Sequence, residues 1–307
     1  MKNILLIDFG STYTKVTAVD VESERLLGTA QSYTTVQTDI NEGLDRALSE
    51  LFARTGKLEF EERFACSSAA GGLRMIASGL VPDLTAKAAR LASLGAGAKV
   101  LRDYAYQLTE DDLDEIHTLR PDIFLLVGGT DGGNSECILH NASMLAKLGD
   151  DFPIILAGNR SAARECERIL HGRTTFICEN VMPKFGVLNI LPVQSRIREL
   201  FLARIIQAMG LTKASSLLSG ILMPTPSAMM TAMELLSGGT ETEAGIGELM
   251  AVDVGGATTD VYSIADGMPQ AQNTVYKGLP EPYSKRTVEG DIGMRYSIHD
   301  ISVTFTR

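Results

Sequence analysis

Two copies of one short pattern constrain this chain more than anything else in it. The first reads Asp8-Phe9-Gly10-Ser11-Thr12-Tyr13-Thr14-Lys15, the second Asp253-Val254-Gly255-Gly256-Ala257-Thr258-Thr259-Asp260. In each, an apolar run (residues 4–7 and 250–252) delivers a carboxylate to its end, a glycine follows two places later, and hydroxyl residues lead into a second run. The glycine permits a tight hairpin whose backbone N–H groups are free to face an anion. One such hairpin is a common turn. Two of them, about 245 residues apart and each at a strand–turn–strand corner, suggest related halves facing each other across a cleft. A polyphosphate and its metal would lie between them.

Each residue type suits that chemistry. Mg²⁺ takes oxygen ligands and keeps much of its water, so Asp8 and Asp253 are the candidate catalytic and metal-holding carboxylates. Gly10, Gly255 and Gly256 let the backbone approach phosphate oxygens closely. Ser11, Thr12, Thr258 and Thr259 add hydroxyl donors, and Lys15 returns a positive charge to the same mouth.

The strand–turn–strand opening, with expected strands at 4–7, 14–20 and 25–33, is echoed by strands expected at 249–254, 259–264 and 272–277. A helix is expected at 41–53, capped by Asn41, and a strand at 64–67. From about residue 73 to 178 the rhythm changes to strand–helix alternation. Strands are expected at 73–76, 99–101, 123–127, 154–156 and 175–178, with helices at 84–93, 110–118, 135–148 and 161–170. Such alternation argues for a parallel sheet with helices on its faces, inserted into the first half. Two amphipathic helices, 192–209 and 224–237, and a glycine-rich loop at 238–247 lead to the second corner.

Two further glycine motifs are ambiguous. Residues 125–134 (LLVGGTDGGN) feed a strand into a glycine-rich turn that opens a helix. This is either an anion-favouring helix N-terminus or a close strand–helix packing turn. Residues 289–295 (EGDIGMR) read first as a structural cap set by Asp291.

The chain is long enough for two modest domains, with 307 residues. Its 28 Lys plus Arg against 38 Asp plus Glu give a formal charge of −10, which repels a phosphate backbone and argues against nucleic acid as a partner. Cys66, Cys137, Cys166 and Cys178 lie far apart without a C-x-x-C pair, and the four histidines show no metal-type spacing. Neither a signal peptide nor a membrane span is legible, so the expected location is cytoplasmic.

The two corners resemble the phosphate-1 and phosphate-2 motifs of the actin, hexokinase and heat-shock-chaperone ATPase superfamily. Asp8, Gly10, Ser11, Thr12 and Lys15 match the first; Asp253, Gly255, Gly256, Thr258, Thr259 and Asp260 match the second. Further stretches narrow the resemblance: LLVGGTDGGN, ILAGNRSA (155–162), ENVMPKFGVLNILPV (179–193), AVDVGGATTDVYSI and VEGDIGMRYS. Together they resemble the MutL/GlmL family, accessory to glutamate (methylaspartate) mutase and related adenosylcobalamin-dependent aminomutases. Hydantoinase and oxoprolinase relatives overlap with it in the C-terminal part.

The resemblance implies an α/β, actin-like (ribonuclease-H-like) fold with an inserted parallel α/β unit. It divides the chain into a first part of domain I (1–72), the insert (73–180), a helical connection completing domain I (181–248) and the start of domain II (249–307). It also implies ATP and Mg²⁺ as cofactors, and an ATPase that reactivates an adenosylcobalamin-dependent mutase, its protein partner. No D-x-H-x-x-G cobalamin motif is present, so the insert is expected to touch the mutase rather than cobalamin. The superfamily's adenosine motif should follow phosphate-2 and is not found there, which suggests an incomplete second domain. The competing readings are a small-molecule kinase or hydantoinase-like hydrolase on the same fold, and an ATP-binding scaffold without turnover.

Overall fold

A computed structural model of the chain describes residues 2–35, 39–68, 73–208, 222–256, 258–268, 278–289 and 292–294. The first strands are β1 (Asn3–Phe9), β2 (Tyr13–Asp20) and β3 (Arg25–Tyr33), an antiparallel meander. Helix α1 (Ile40–Thr55) follows. Its N-cap is Asp39, whose carboxylate accepts from the backbone N–H of Asn41 at 2.9 Å. The expected cap, Asn41, instead sits inside the first turn, because the aspartate two residues earlier satisfies the orphan donor.

β4 (Glu62–Ser67) runs parallel to β1, and β10 (Leu222–Pro224) parallel to β4, giving the sheet order β10-β4-β1-β2-β3. Three antiparallel strands extended by two parallel ones form a ribonuclease-H-like sheet, as expected for an actin-like fold. Along β1, Leu5, Ile7 and Phe9 are buried against the α1 side with Val16 and Ala18 of β2 and Leu44, Ala47 and Leu51 of α1. Each large apolar side chain buried there contributes about 2 kcal/mol.

Between β4 and β10 the chain builds a second sheet, all parallel. Its strands are β5 (Arg74–Gly79), β6 (Lys99–Ala105), β7 (Ile123–Leu126), β8 (Ile154–Leu156) and β9 (Thr175–Ile177), ordered β6-β5-β7-β8-β9. The interleaved helices are α2 (Lys87–Gly95), α3 (Glu110–Leu119), α4 (Glu136–Leu145) and α5 (Ala163–Ile169). Period-two alternation sorts the strands onto two faces. Met75, Ala77, Ile123, Leu125 and Ile155 join the first core beside α2 and α6 (Leu191–Ala208). Ile76, Phe124, Leu126, Ile154 and Leu156 pack on the other side with residues of α3, α4 and α5. The helix expected at 84–93 is two pieces, a π-helical turn at Pro82–Ala86 followed by α2.

Helix α7 (Thr225–Gly238) leads to the third sheet, β11 (Leu249–Val254), β12 (Thr259–Ile264) and β13 (Ser284–Glu289), antiparallel and in that order. The strand expected at 272–277 lies outside the described residues, as does Asp291. β13 (SKRTVE) is not among the expected strands, because its charges mask any alternation.

The third sheet repeats the register of the first. Asp8 pairs with Lys15 and Phe9 with Thr14; at the same offset, Asp253 pairs with Asp260 and Val254 with Thr259. The buried faces are opposite. Leu5, Ile7 and Phe9 are at most 4% exposed, whereas Met250, Val252 and Val254 at the matching positions are 74%, 60% and 52% exposed. In the third sheet the buried side is that of Asp260, Tyr262 and Ile264, the last two packed with Met230 of α7.

Candidate functional site

Both corners close with one hydrogen bond of the same kind. The N–H of Gly10 donates to the carbonyl of Tyr13 at 3.0 Å, and that of Gly255 to the carbonyl of Thr258 at 2.9 Å. Glycine is needed for space: a Cβ on Gly10 would meet the Tyr13 carbonyl oxygen at 2.7 Å, and one on Gly255 the Thr258 oxygen at 3.1 Å. Thr34 braces the first corner, its hydroxyl donating to the Gly10 carbonyl at 2.8 Å and its N–H to the Thr12 carbonyl at 2.9 Å. The second corner is braced by residues 292–294. Met294 N–H donates to the Gly255 carbonyl at 2.9 Å, and the Thr259 hydroxyl to the Ile292 carbonyl at 2.7 Å.

The two corners line one cleft of about 500 Å³. Asp8, Gly10, Ser11, Thr12 and Lys15 come from one side, and Asp253, Gly255 and Gly256 from the other. A smaller pocket of about 110 Å³ shares Ser11, Asp253, Gly255 and Gly256 with it and adds Thr258. Every residue expected at the site thus lies at one of these two spaces, except Thr259, whose hydroxyl is engaged by Ile292.

Asp8 sits at the end of β1, where β4 and α7 converge. Its Oδ1 accepts from the Thr225 hydroxyl at 2.8 Å and from the Cys66 thiol at 3.4 Å, and Lys15 Nζ stands 3.8 Å from Oδ2. Burial, and then the negative charge of Asp8, push the Cys66 thiol up to about 12. Neither Thr225 nor Cys66 is expected at the site from the sequence. Thr225 is brought there by β10 at the sheet edge, a strand of three residues ending in proline that carries no periodic signal.

Asp260 occupies the position of Lys15 in the second corner but points into the interior. Arg286 of β13, 5% exposed, donates from Nε to Asp260 Oδ1 at 2.7 Å, with Nη2 2.5 Å from the same oxygen. Burial pushes the Asp260 carboxyl upward, and the guanidinium works against that shift. Nη1 of Arg286 donates to the carbonyls of Leu94 at 3.0 Å and Ala98 at 3.1 Å, tying the second corner to the end of α2. A second tie joins Lys87 of α2 to Glu281 at 2.6 Å, with Lys285 on the same carboxylate at 2.7 Å.

The turn after β7 is a packing device. Asn159 accepts from Gly132 N–H at 3.1 Å and donates to the carbonyls of Gly133 and Asn134. Asn180 donates to the Gly129 carbonyl and to Asp131. A Cβ on Gly158 would stand 2.7 Å from the Gly128 nitrogen, so the segment after β8 and the turn touch backbone to backbone.

The cleft also fits a bound polyphosphate on structural grounds. The Thr12 hydroxyl oxygen is buried at its edge without a hydrogen-bond partner among the described residues. Leaving such a group unpaired costs about 1–3 kcal/mol, a penalty that an incoming acceptor would remove.

Comparison with known proteins gives a consistent family. A family model described as MutL protein matches residues 4–306. A curated relative, "Protein MutL" of Clostridium tetanomorphum, is 52% identical over 301 residues, which are 97% of this chain and 65% of the relative. The chain therefore spans about two thirds of that relative's length. Among solved structures, the activator of the 2-hydroxyisocaproyl-CoA dehydratase from Clostridium difficile with bound ADPNP matches at 11% identity. That match covers 71% of this chain and 99% of that one, with a TM-score of 0.19. The ethanolamine utilization protein EutJ from Carboxydothermus hydrogenoformans matches at 13% identity over 63% of this chain and 89% of its own, with a TM-score of 0.16. Neither superposition is close enough to bear on the site.

Proposed function

This chain belongs to the MutL family, and from that premise we propose that it is the nucleotide-gripping part of an ATP-hydrolysing factor that reactivates an adenosylcobalamin-dependent mutase, glutamate mutase or a related aminomutase. One observation carries the proposal: two Asp-x-Gly corners of identical register face a single cleft.

In this reading the corner amides around Gly10, Gly255 and Gly256, with the hydroxyls of Ser11, Thr12 and Thr258, cradle phosphate oxygens, and Lys15 offsets their charge. Asp8 and Asp253 would hold Mg²⁺, which would supply charge neutralisation on the phosphates. Thr225 fixes the rotamer of Asp8 by its 2.8 Å hydrogen bond. Because phosphoryl transfer to water asks mainly for positioning and charge neutralisation, no covalent partner in the protein is needed. Thr259 drops out of the phosphate set, its hydroxyl being committed to Ile292.

The division at about residues 73 and 180 becomes part of the same proposal, with the parallel sheet as the surface that grips the mutase. No helix among the described residues is long and apolar enough to cross a membrane.

The test is ADP formation by the full-length protein with and without purified glutamate mutase. Stimulation by the mutase supports the reactivating role. Stimulation by a small hydroxyl or carboxylic substrate instead would replace it with a kinase or hydrolase. ATP binding with no phosphate release would leave a scaffold.

A further inference from the structure

The small pocket beneath the second corner has a wall that belongs to neither corner. Lys99, the first residue of β6, lines it together with Ser11, Asp253, Gly255 and Gly256. Lys99 lies far from both motifs in sequence, on the edge strand of the parallel sheet. Its side chain makes no hydrogen bond or ion pair among the described residues. The other cation lining the pocket, Arg286, is spent on Asp260 and on the carbonyls of Leu94 and Ala98. An uncommitted cationic residue therefore lines a small pocket that hydroxyl residues and glycines of both corners also line.

The backbone around Lys99 is clamped. Its own N–H donates to the Leu73 carbonyl at 2.7 Å, and the preceding carbonyl, that of Ala98, accepts from Arg286. Gly97, at φ 89°, is pressed against Pro224, where a Cβ would stand 2.8 Å from the proline ring. The backbone that carries Lys99 is thus held by the same arginine that pairs with Asp260. A volume of about 110 Å³ is too small for a whole nucleotide, since pockets that take complete ligands run to about 300 Å³ or more. It suits one tetrahedral oxyanion.

We propose that this pocket is the subsite of a single phosphate group, the terminal phosphate of a bound nucleoside triphosphate or free orthophosphate, with Lys99 as its counter-charge. The inference rests on the nucleotide reading above and deepens it. A lysine that touches the third phosphate and not the second gives the parallel sheet a contact that exists with ATP and vanishes with ADP. Only such a differential contact can shift a conformational equilibrium.

The experiment uses the full-length protein and its Lys99→Met and Lys99→Arg variants, checked for unchanged thermal unfolding. Calorimetry reads binding of Mg-ADPNP, Mg-ADP and orthophosphate alone. Lys99→Met is expected to weaken ADPNP by about 10- to 100-fold, the range for a lost charge-assisted hydrogen bond, with ADP changed by less than about twofold and Lys99→Arg recovering most of the loss. Loss of orthophosphate binding in Lys99→Met would show that the free ion uses the pocket too. Equal weakening of ADPNP and ADP, or no weakening of either, overturns the subsite. If the wild-type protein binds no nucleotide at all, the ATPase reading falls. The orthophosphate arm then decides alone: Lys99-dependent binding upholds the subsite, and its absence removes it.

Discussion

Gly10 and Gly255 occupy one position in two copies of a corner. Each donates its N–H to the carbonyl three residues on, at 3.0 and 2.9 Å, and each lies two residues after an aspartate, Asp8 paired with Lys15 and Asp253 with Asp260. The copies differ in slack. A Cβ would be 2.7 Å from the facing carbonyl oxygen at Gly10 and 3.1 Å at Gly255. Gly10→Ala must therefore push backbone apart, and is expected to cost about 1–3 kcal/mol. Gly255→Ala needs only a small adjustment and should cost less. Urea unfolding of the two variants side by side checks the order.

The paired acids supply the next expectation. Asp8→Asn and Asp253→Asn each remove a negative charge from the cleft that the corners share. Loss of one precisely placed electrostatic group typically costs about 10²- to 10³-fold in turnover. Phosphate release by the full-length protein should fall by that order while the circular dichroism melt stays in place. Activity lost only together with the fold would leave the two acids without a chemical role.

Arg286 is a structural bet of a different size. Its removal strands the Asp260 carboxylate inside the protein, along with the carbonyls of Leu94 and Ala98. Breaking one side of a buried pair costs about 3–5 kcal/mol, and Arg286→Met should show it in chemical denaturation. Adding Asp260→Asn should recover part of the loss, because a neutral amide is cheaper to bury than an unpaired charge. A single variant as stable as the parent would refute the tie.

Glu281 gives a pH dependence. Burial alone would raise its carboxyl; Lys285 and Lys87 more than offset this and hold it below the ordinary carboxylate range. A depressed folded value stabilises the protein above the unfolded pKa of about 4.3, and that stability is lost as pH falls through the folded value. Because the group is partly exposed, the contribution is about 1 kcal/mol or less. Glu281→Gln should therefore narrow the stability difference between neutral and acidic pH, as read from melting curves across that range.

Cys66 reports on Asp8. With its thiol pushed up to about 12 by burial and by the neighbouring carboxylate, it should alkylate far more slowly than an ordinary cysteine, whose pKa is about 8.5. Asp8→Asn removes one of the two causes and should speed modification of Cys66, leaving Cys137 and Cys166 unchanged. Mass spectrometry after a timed iodoacetamide pulse distinguishes the sites.

How far the sequence could be read depended on where information is local. The corners are local, because an acid, a glycine and a β-branched run specify a hairpin within eight residues. The strand–helix alternation that builds β5 to β9 is local in the same sense. β13 was hidden because Lys285, Arg286 and Glu289 break its apolar pattern, and Arg286 faces inward only because Asp260 waits there on another strand. Thr225 and Lys99 reach the site through the order of strands in two sheets, a relationship no window along the chain contains. The shift of the cap from Asn41 to Asp39 had a smaller cause: Asp39 accepts from the Asn41 N–H, and the Gly43 N–H that an Asn41 cap would serve is taken by the Thr35 hydroxyl.

The two corners keep one shape while the sheets beneath them bury opposite sides. The bond that closes each corner is local, a glycine N–H to the carbonyl three residues on, but the supports differ: Thr34 for the first, residues 292–294 for the second. Two jaws of one bite thus stand on different mountings, and a shift in one mounting tilts its own jaw while leaving the other where it was.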